Sequence, residues 1–298
     1  MAHDHDHAGH HHHAGDNIKV AFFLNVGFTI LELIGGFLTN SVAIMSDALH
    51  DLGDSLSLGL AWYFEKLSKK GSDHNFSYGY KRFSLLGAVL NSVILLIGSF
   101  IILSEAIPRL WSPEAVHAPG MIGFAVLGII VNGAAVLRLK GDASINQRVV
   151  RLHLMEDVLG WAAVLAGGII LYFFEVPVID PILSVGITLF VLYNVYRNLR
   201  QSMTILLQGT PPDIDMKAVQ HKLEQLEAVR SVHHLHIWTL DGSYNVLTLH
   251  AVIDDNLPLQ QTESIKTRIR IAMADMNVQH VTVELETPDQ ACSHEKCD

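Results

Sequence analysis

Cysteine is nearly missing from this chain. Only Cys292 and Cys297 occur, both at the C-terminal end, which rules out a disulfide framework and fits a reducing compartment, where such a pair serves better as a metal clip. Charge is scarce as well, at 17% of residues against 50% hydrophobic, whereas a soluble domain usually carries about 25% charged residues. An ordinary soluble protein is thereby excluded, and an integral membrane protein is expected. The formal net charge of −10 is spread along the chain without a basic patch, so no nucleic-acid partner is expected. There is no glycine-rich phosphate loop and no His-Glu-x-x-His motif, which speaks against an ATP-driven pump and a metallopeptidase. No cleavable signal peptide precedes the first apolar run, which is expected to serve as its own insertion signal.

Six long apolar runs are present, at about 18–38, 42–65, 83–107, 120–137, 152–174 and 178–198. Each is long enough to cross a bilayer as a helix. Lys66, Lys69, Lys70, Lys81 and Arg82 follow the second run, Arg138, Lys140, Arg148 and Arg151 the fourth, and Arg197 and Arg200 the sixth. The other loops hold almost no basic residues. The positive-inside rule then places both termini in the cytoplasm, as in a multi-pass protein of a bacterial inner membrane. Residues 1–16, rich in His and Asp, read as a disordered cytoplasmic tail and a loose metal-collecting arm.

Ionisable groups at bilayer depth cost about 2.5–3.5 kcal/mol each on insertion scales. The second run nevertheless contains Asp47, His50, Asp51 and Asp54, and the fifth contains His153, Glu156 and Asp157. Positions i and i+4 share a helix face, so His50 with Asp54 forms one half-site and His153 with Asp157 another. Facing each other, two imidazoles and two carboxylates suit a tetrahedral divalent cation, zinc first. Asp47 and Asp51 flank that face and either solvate a water-filled vestibule or cap a neighbouring group; Glu156 reads as a vestibule residue. Glu32 and Asn132 either orient the imidazoles or form interhelical hydrogen bonds.

After Gly209-Thr210-Pro211-Pro212 the composition turns soluble. Helical spacing of Val219, Leu223 and Leu226, strand alternation around Asp241-Gly242-Ser243, a second helix over 259–276 and a last strand over 280–286 predict the order α-β-β-α-β. That is a small α+β domain with a three-stranded sheet backed by two helices. The expected domains are the tail 1–16, a six-helix membrane domain 17–207, a cytoplasmic domain 208–290 and a Cys/His-containing tail 291–298. His233, His234, His236 and His250 fall on neighbouring strands, with Glu284 and Glu286 at the end of the last. Cys292 and Cys297, with His294 or His234, are a further candidate clip.

Ser46-Asp47-Ala48-Leu49-His50, the two His/Asp pairs, Tyr78-Gly79-Tyr80-Lys81-Arg82 and Leu235-His236-Ile237-Trp238 together resemble the cation diffusion facilitator family of zinc/proton antiporters. The resemblance spans all but the two tails. It implies a homodimer of six-helix protomers with ferredoxin-like cytoplasmic domains. It also implies export of zinc in exchange for protons, with Zn2+ as both cargo and regulatory ligand. His50, Asp54, His153 and Asp157 fall on the family's transport-site positions, a composition that in relatives favours zinc over cadmium. His236, His250 and Glu286 are carried over as the cytoplasmic-domain set. One branch of the family has a further metal site between the second and third spans. Here Asp73 and His74 remain, but Phe76 and Tyr80 stand at ligand positions, so no tight site is expected there. The alternatives are a membrane metal sensor without transport and, less favoured, an intramembrane metallopeptidase with Glu156 as base.

Overall fold

The structure, a computed structural model, describes residues 12–68, 70–138, 145–254 and 257–289, with side chains described except at 12–22, 24, 58, 61, 62, 65, 138 and 145–153. Most of the His arm and Cys292, His294 and Cys297 therefore lie outside the described residues. The chain forms two compact units. The first holds residues up to Tyr63 together with Gly87–Asn198, and the second holds Phe64–Leu86 and the residues from Leu199 onward.

Six long helices carry the apolar runs: α1 (His12–Thr39), α2 (Val42–Ser68), α3 (Phe83–Trp111), α4 (Ala118–Arg138), α5 (Ile145–Phe174) and α6 (Ile179–Leu206). Four of them, α3 to α6, are apolar and long enough to cross a membrane by composition alone. α1 and α2 complete the membrane domain; α2 is as long, but Asp47, Asp51 and Asp54 dilute its apolarity. The bundle is apolar outside and polar inside. Phe37 is 81% exposed and Phe173 71%, while Glu32 and Asp180 are fully buried. Lipid replaces water around such a surface, and the polar groups turn inward to find partners.

The helices overrun the expected spans. α3 passes Pro108 to reach Trp111, instead of stopping at Ile107. The proline sits within the last turn, where losing one backbone donor does not stop the helix. α6 continues through Arg197 and Arg200 to Leu206, because an apolar run measures the bilayer and a helix continues into water. α1 ends at Thr39; the next residue, Asn40, has a left-handed φ of 54°, and Ser41 N returns to Gly36 O at 3.0 Å. That is the usual C-terminal helix stop.

Gly128 of α4 lies flat against the Trp161 indole of α5, where any Cβ would overlap the ring. Trp161 is 1% exposed and cannot swing aside. Gly128→Ala should therefore cost about 1–3 kcal/mol by overpacking and lower the thermal unfolding midpoint in detergent.

The second unit contains α7 (Met216–Glu224), β1 (Val229–Thr239), β2 (Asn245–Ile253), α8 (Leu259–Ala274) and β3 (His280–Glu286), the expected α-β-β-α-β order. β2 is central, antiparallel to β1 and parallel to β3. Val219 and Leu223 of α7, Ile265, Ile269 and Met273 of α8, and Leu247, Leu249 and Ala251 of β2 form the buried core. Alternation along β2 turns Thr248 and His250 to the other face, where both are half-buried. Asp215 caps α7 by accepting from Lys217 N. Asp241 closes the β1–β2 turn, accepting from Ser243 N at 2.9 Å and Tyr244 N at 2.8 Å. Burial opposes ionisation of Asp241, but those amides outweigh it and hold the carboxyl below its ordinary pKa.

The segment before α3 belongs to this unit and is tightly tied. Asp73 accepts from Tyr80 Oη at 2.8 Å, Phe76 N at 3.0 Å and Asn75 N at 2.9 Å, and pairs with Lys70 Nζ at 3.1 Å. The Tyr80 hydroxyl first, then the Phe76 amide, hold the Asp73 carboxyl well below the usual carboxylate range. Gly79 has φ 75° and approaches Lys70 O so closely that a Cβ would stand 3.1 Å away. Lys81 Nζ lies 3.4 Å from the Tyr244 ring centroid, and the Tyr78 and His280 rings meet edge to face at 5.7 Å.

Because the Asp73 pKa is depressed on folding, its contribution is complete above the unfolded value of about 3.9 and is lost only as pH falls through the depressed value. The segment should look the same at pH 7 and pH 5. Tyr80→Phe should move the Asp73 titration upward in a carboxyl NMR experiment. With all its lone pairs engaged, Asp73 is a poor ligand, and Asp73→Ala should leave the number of bound zinc ions unchanged.

Candidate metal sites

α2 and α5 bring three of the four expected membrane-site residues together. His50 Nε2 lies 3.8 Å from Asp54 Oδ2 on its own helix and 4.0 Å from Asp157 Oδ1 on α5. Adjacent ligands on a tetrahedral zinc, with bonds of about 2.0 Å, stand about 3.3 Å apart, so the donors need to close by about half an ångström onto a cation. His153 lies on α5 one turn before Asp157; its side chain is outside the described residues. Side-chain exposure is 17% at His50, 28% at Asp54 and 9% at Asp157. The three donors are thus partly to almost wholly shielded.

Around these donors the interior is acidic. Asp47 and Asp51 are buried and Glu32 of α1 is fully so. The charges that bear on Glu32 are carboxylates, Asp51 first, then Asp47 and Asp157. Of the two readings of Glu32, the interhelical one has Asp51 of α2 as its neighbour. Asn25 of α1 fixes this stretch of α2, donating to Ser55 Oγ at 3.1 Å and Asp51 O at 3.4 Å. Asp47 Oδ1 faces the bare backbone of Gly160, 3.5 Å from where a Cβ would stand, so α5 can approach α2 beside Asp157.

The cytoplasmic-domain cluster differs from the expected set. His233, His250 and Glu286 offer donor atoms within 4.8 Å of one another, the one such three-residue group among the described residues. His233 Nε2 lies 3.2 Å from Glu286 Oε2, and His250 Nδ1 lies 2.5 Å from Glu286 Oε1. His250 Nε2 also reaches Glu284 Oε2 at 3.4 Å. His236 was expected with His250 and Glu286. It pairs instead opposite Thr248 and is exposed, because β1 bulges between His233 and His236. At the bulge His234 adopts φ 51°, and the strand changes phase there. His233 thereby lands directly opposite His250. The His234 ring lies 5.0 Å from that of His250, close enough to supply a fourth donor. The Cys292/Cys297 clip falls outside the described residues.

Buried carboxylates and an imidazole converging inside a lipid-facing helix bundle, with a small α+β domain appended, define the class: an integral membrane protein with an acidic interior suited to cations. Residues 18–207 match the cation efflux transmembrane domain, and residues 211–288 match the cytoplasmic domain of cation efflux proteins. The chain belongs to the cation efflux, or cation diffusion facilitator, family. It is 39% identical to a cadmium, cobalt and zinc/H(+)-K(+) antiporter of Bacillus velezensis, over 96% of this chain and 92% of that one. It is 34% identical to the metal cation efflux system protein CzcD of Cupriavidus metallidurans, over 94% and 90%. It is also 30% identical to the zinc transporter ZitB of Escherichia coli, over 100% and 96%.

Proposed function

We propose that this protein exports zinc from the cytoplasm in exchange for protons, as a homodimer with both termini cytoplasmic. The observation that carries the reading is the meeting of His50 and Asp54 on α2 with Asp157 on α5 inside the membrane domain. Relatives named for zinc transport and for proton antiport support it. His153, one turn from Asp157, completes a tetrahedral set. Zinc enters from the cytoplasm when the imidazoles are neutral and the carboxylates ionised, and so displaces protons. Rocking of the helices exposes the same residues to the other side. Protons there occupy the imidazole lone pairs, and the charged rings expel the cation; imidazole is the side chain whose ordinary titration spans about pH 5–8.

His233, His250 and Glu286, with His234, form a second, regulatory zinc position in the cytoplasmic domain. Its donors face one another across β1, β2 and β3, so zinc there ties the sheet together. No covalent step is needed, and the chemistry is that of a transporter, not an enzyme. A sensor would bind zinc without moving it.

Zinc binding should release protons. Titration of purified protein by calorimetry in two buffers of different ionisation enthalpy measures the number released. In a His250→Ala background, which removes the cytoplasmic position, release that disappears on adding His50→Ala supports coupling at this site; zinc binding with no release at any pH between 6 and 8 would exclude it.

A further inference from the structure

One end of α2 is tied to α6 by polar contacts that the metal site does not require. Asp180, in the first turn of α6, is fully buried. It accepts the Ser41 hydroxyl at 2.5 Å, the Val42 amide at 2.8 Å and the Ala43 amide at 3.3 Å. A residue 138 positions away in sequence thus caps the N-terminus of α2. One turn further along, the Ser46 hydroxyl meets Thr188 Oγ1 at 2.7 Å, Ser184 Oγ at 3.2 Å and Ser184 O at 3.3 Å. Val42, Ile102 and Ala106, with Met45, Leu49 and Val185, pack apolar surface around the same end. Val42, Ala43 and Ile44 at this end are fully buried, whereas the side chains of His50 and Asp54 are 17% and 28% exposed. The end of α2 that α6 holds is thus the more closed one, and the metal-site side chains lie beyond it.

We infer that Asp180 is a positioning residue for transport: its grip on the α2 N-terminus is the closed outer latch, released when the site turns outward. The inference rests on the export reading and its topology. An apolar plug yields gradually to sliding, whereas three directed bonds to a buried carboxylate are either made or broken. Such an element has two discrete states, which alternating access requires. Release also costs a buried charge its partners, so the latch biases the empty transporter toward the state open at the Asp54 end. Arg109 of α3 is the basic side chain bearing on Asp180. Its guanidinium bonds Asn40 O and Asn40 Oδ1, both at 3.1 Å, so the turn that leads into α2 is anchored separately and remains in place when the latch opens.

The test uses full-length protein in vesicles, with Cys292 and Cys297 replaced by serine. A single reporter is placed either at the shut end (Ala43→Cys) or beyond the open end (Ser57→Cys). Each is labelled with a membrane-impermeant maleimide from either face. Asp180→Ala should raise labelling at 43 at least 10-fold and lower it at 57. Asp180→Asn, which keeps an oxygen acceptor, should fall between. A loosened fold would raise both reporters together, and that result, or an unchanged rate at 43, would overturn the latch. If Asp180→Ala does not insert, the double variant Ser184→Ala/Thr188→Val loosens the second tier and should shift both reporters in the same opposed directions, by less. Reaction at 43 from the face that carries the cytoplasmic domain would refute the topology and leave the latch standing.

Discussion

Asp157→Ala should reduce zinc efflux at least 100-fold while the protein still inserts and folds. Among the described side chains, Asp157 is the α5 donor that reaches His50, at 4.0 Å. Removing it leaves His50 and Asp54 of α2 with His153, three donors where tetrahedral zinc needs four, and one fewer negative charge to hold the cation. Each factor of ten corresponds to about 1.4 kcal/mol, and losing an anionic ligand in a water-poor site is worth at least two such steps. Asp157→Asn should rescue little, because the amide oxygen carries no charge and cannot exchange a proton. Metal flux measured in vesicles, together with a check that the variant is inserted, decides this. Unchanged flux in Asp157→Ala would remove Asp157 from the site.

His250→Ala should abolish the thermal stabilisation that zinc confers on the cytoplasmic domain of the full chain. A ligand bound only by the folded state at 100 times its Kd adds about 2.7 kcal/mol, which in a domain of this size is a shift of several degrees. His250 touches Glu286 at 2.5 Å and Glu284 at 3.4 Å and stands opposite His233, so its loss opens the cluster at its centre. His236→Ala makes the contrast. It lies beyond the bulge, opposite Thr248, and should leave the zinc-dependent shift in place. Melting curves of the two variants with and without zinc separate them, and equal loss in both would return His236 to the ligand set.

Much of this architecture was legible in the residues. Six apolar runs, His and Asp four positions apart in two of them, and the α-β-β-α-β pattern follow from period and spacing, which are local. The parts that were not legible depend on contacts between distant residues. The bulge at His234 is set by pairing with β2, and no period-2 count along β1 foresees the change of phase that brings in His233 and turns out His236. Asp180 reads in sequence as an ordinary acid in the first turn of a helix; that it caps α2 instead is a fact of packing. Spacing leaves open whether Glu32 serves an imidazole or another helix, and only the bundle shows that Asp51, Asp47 and Asp157 bear on it. Helix ends were misjudged for a simpler reason, since hydropathy reports where lipid ends and not where hydrogen bonding along the backbone does.

Zinc uptake into proteoliposomes under an imposed pH gradient tests the central claim most directly. With the cytoplasmic domain outside and the lumen acid, zinc should accumulate inside while the lumen turns alkaline, and both changes should stop when an ionophore collapses the gradient. Accumulation at the same rate without a gradient, or a gradient that dissipates no faster when zinc is added, would contradict proton-coupled export.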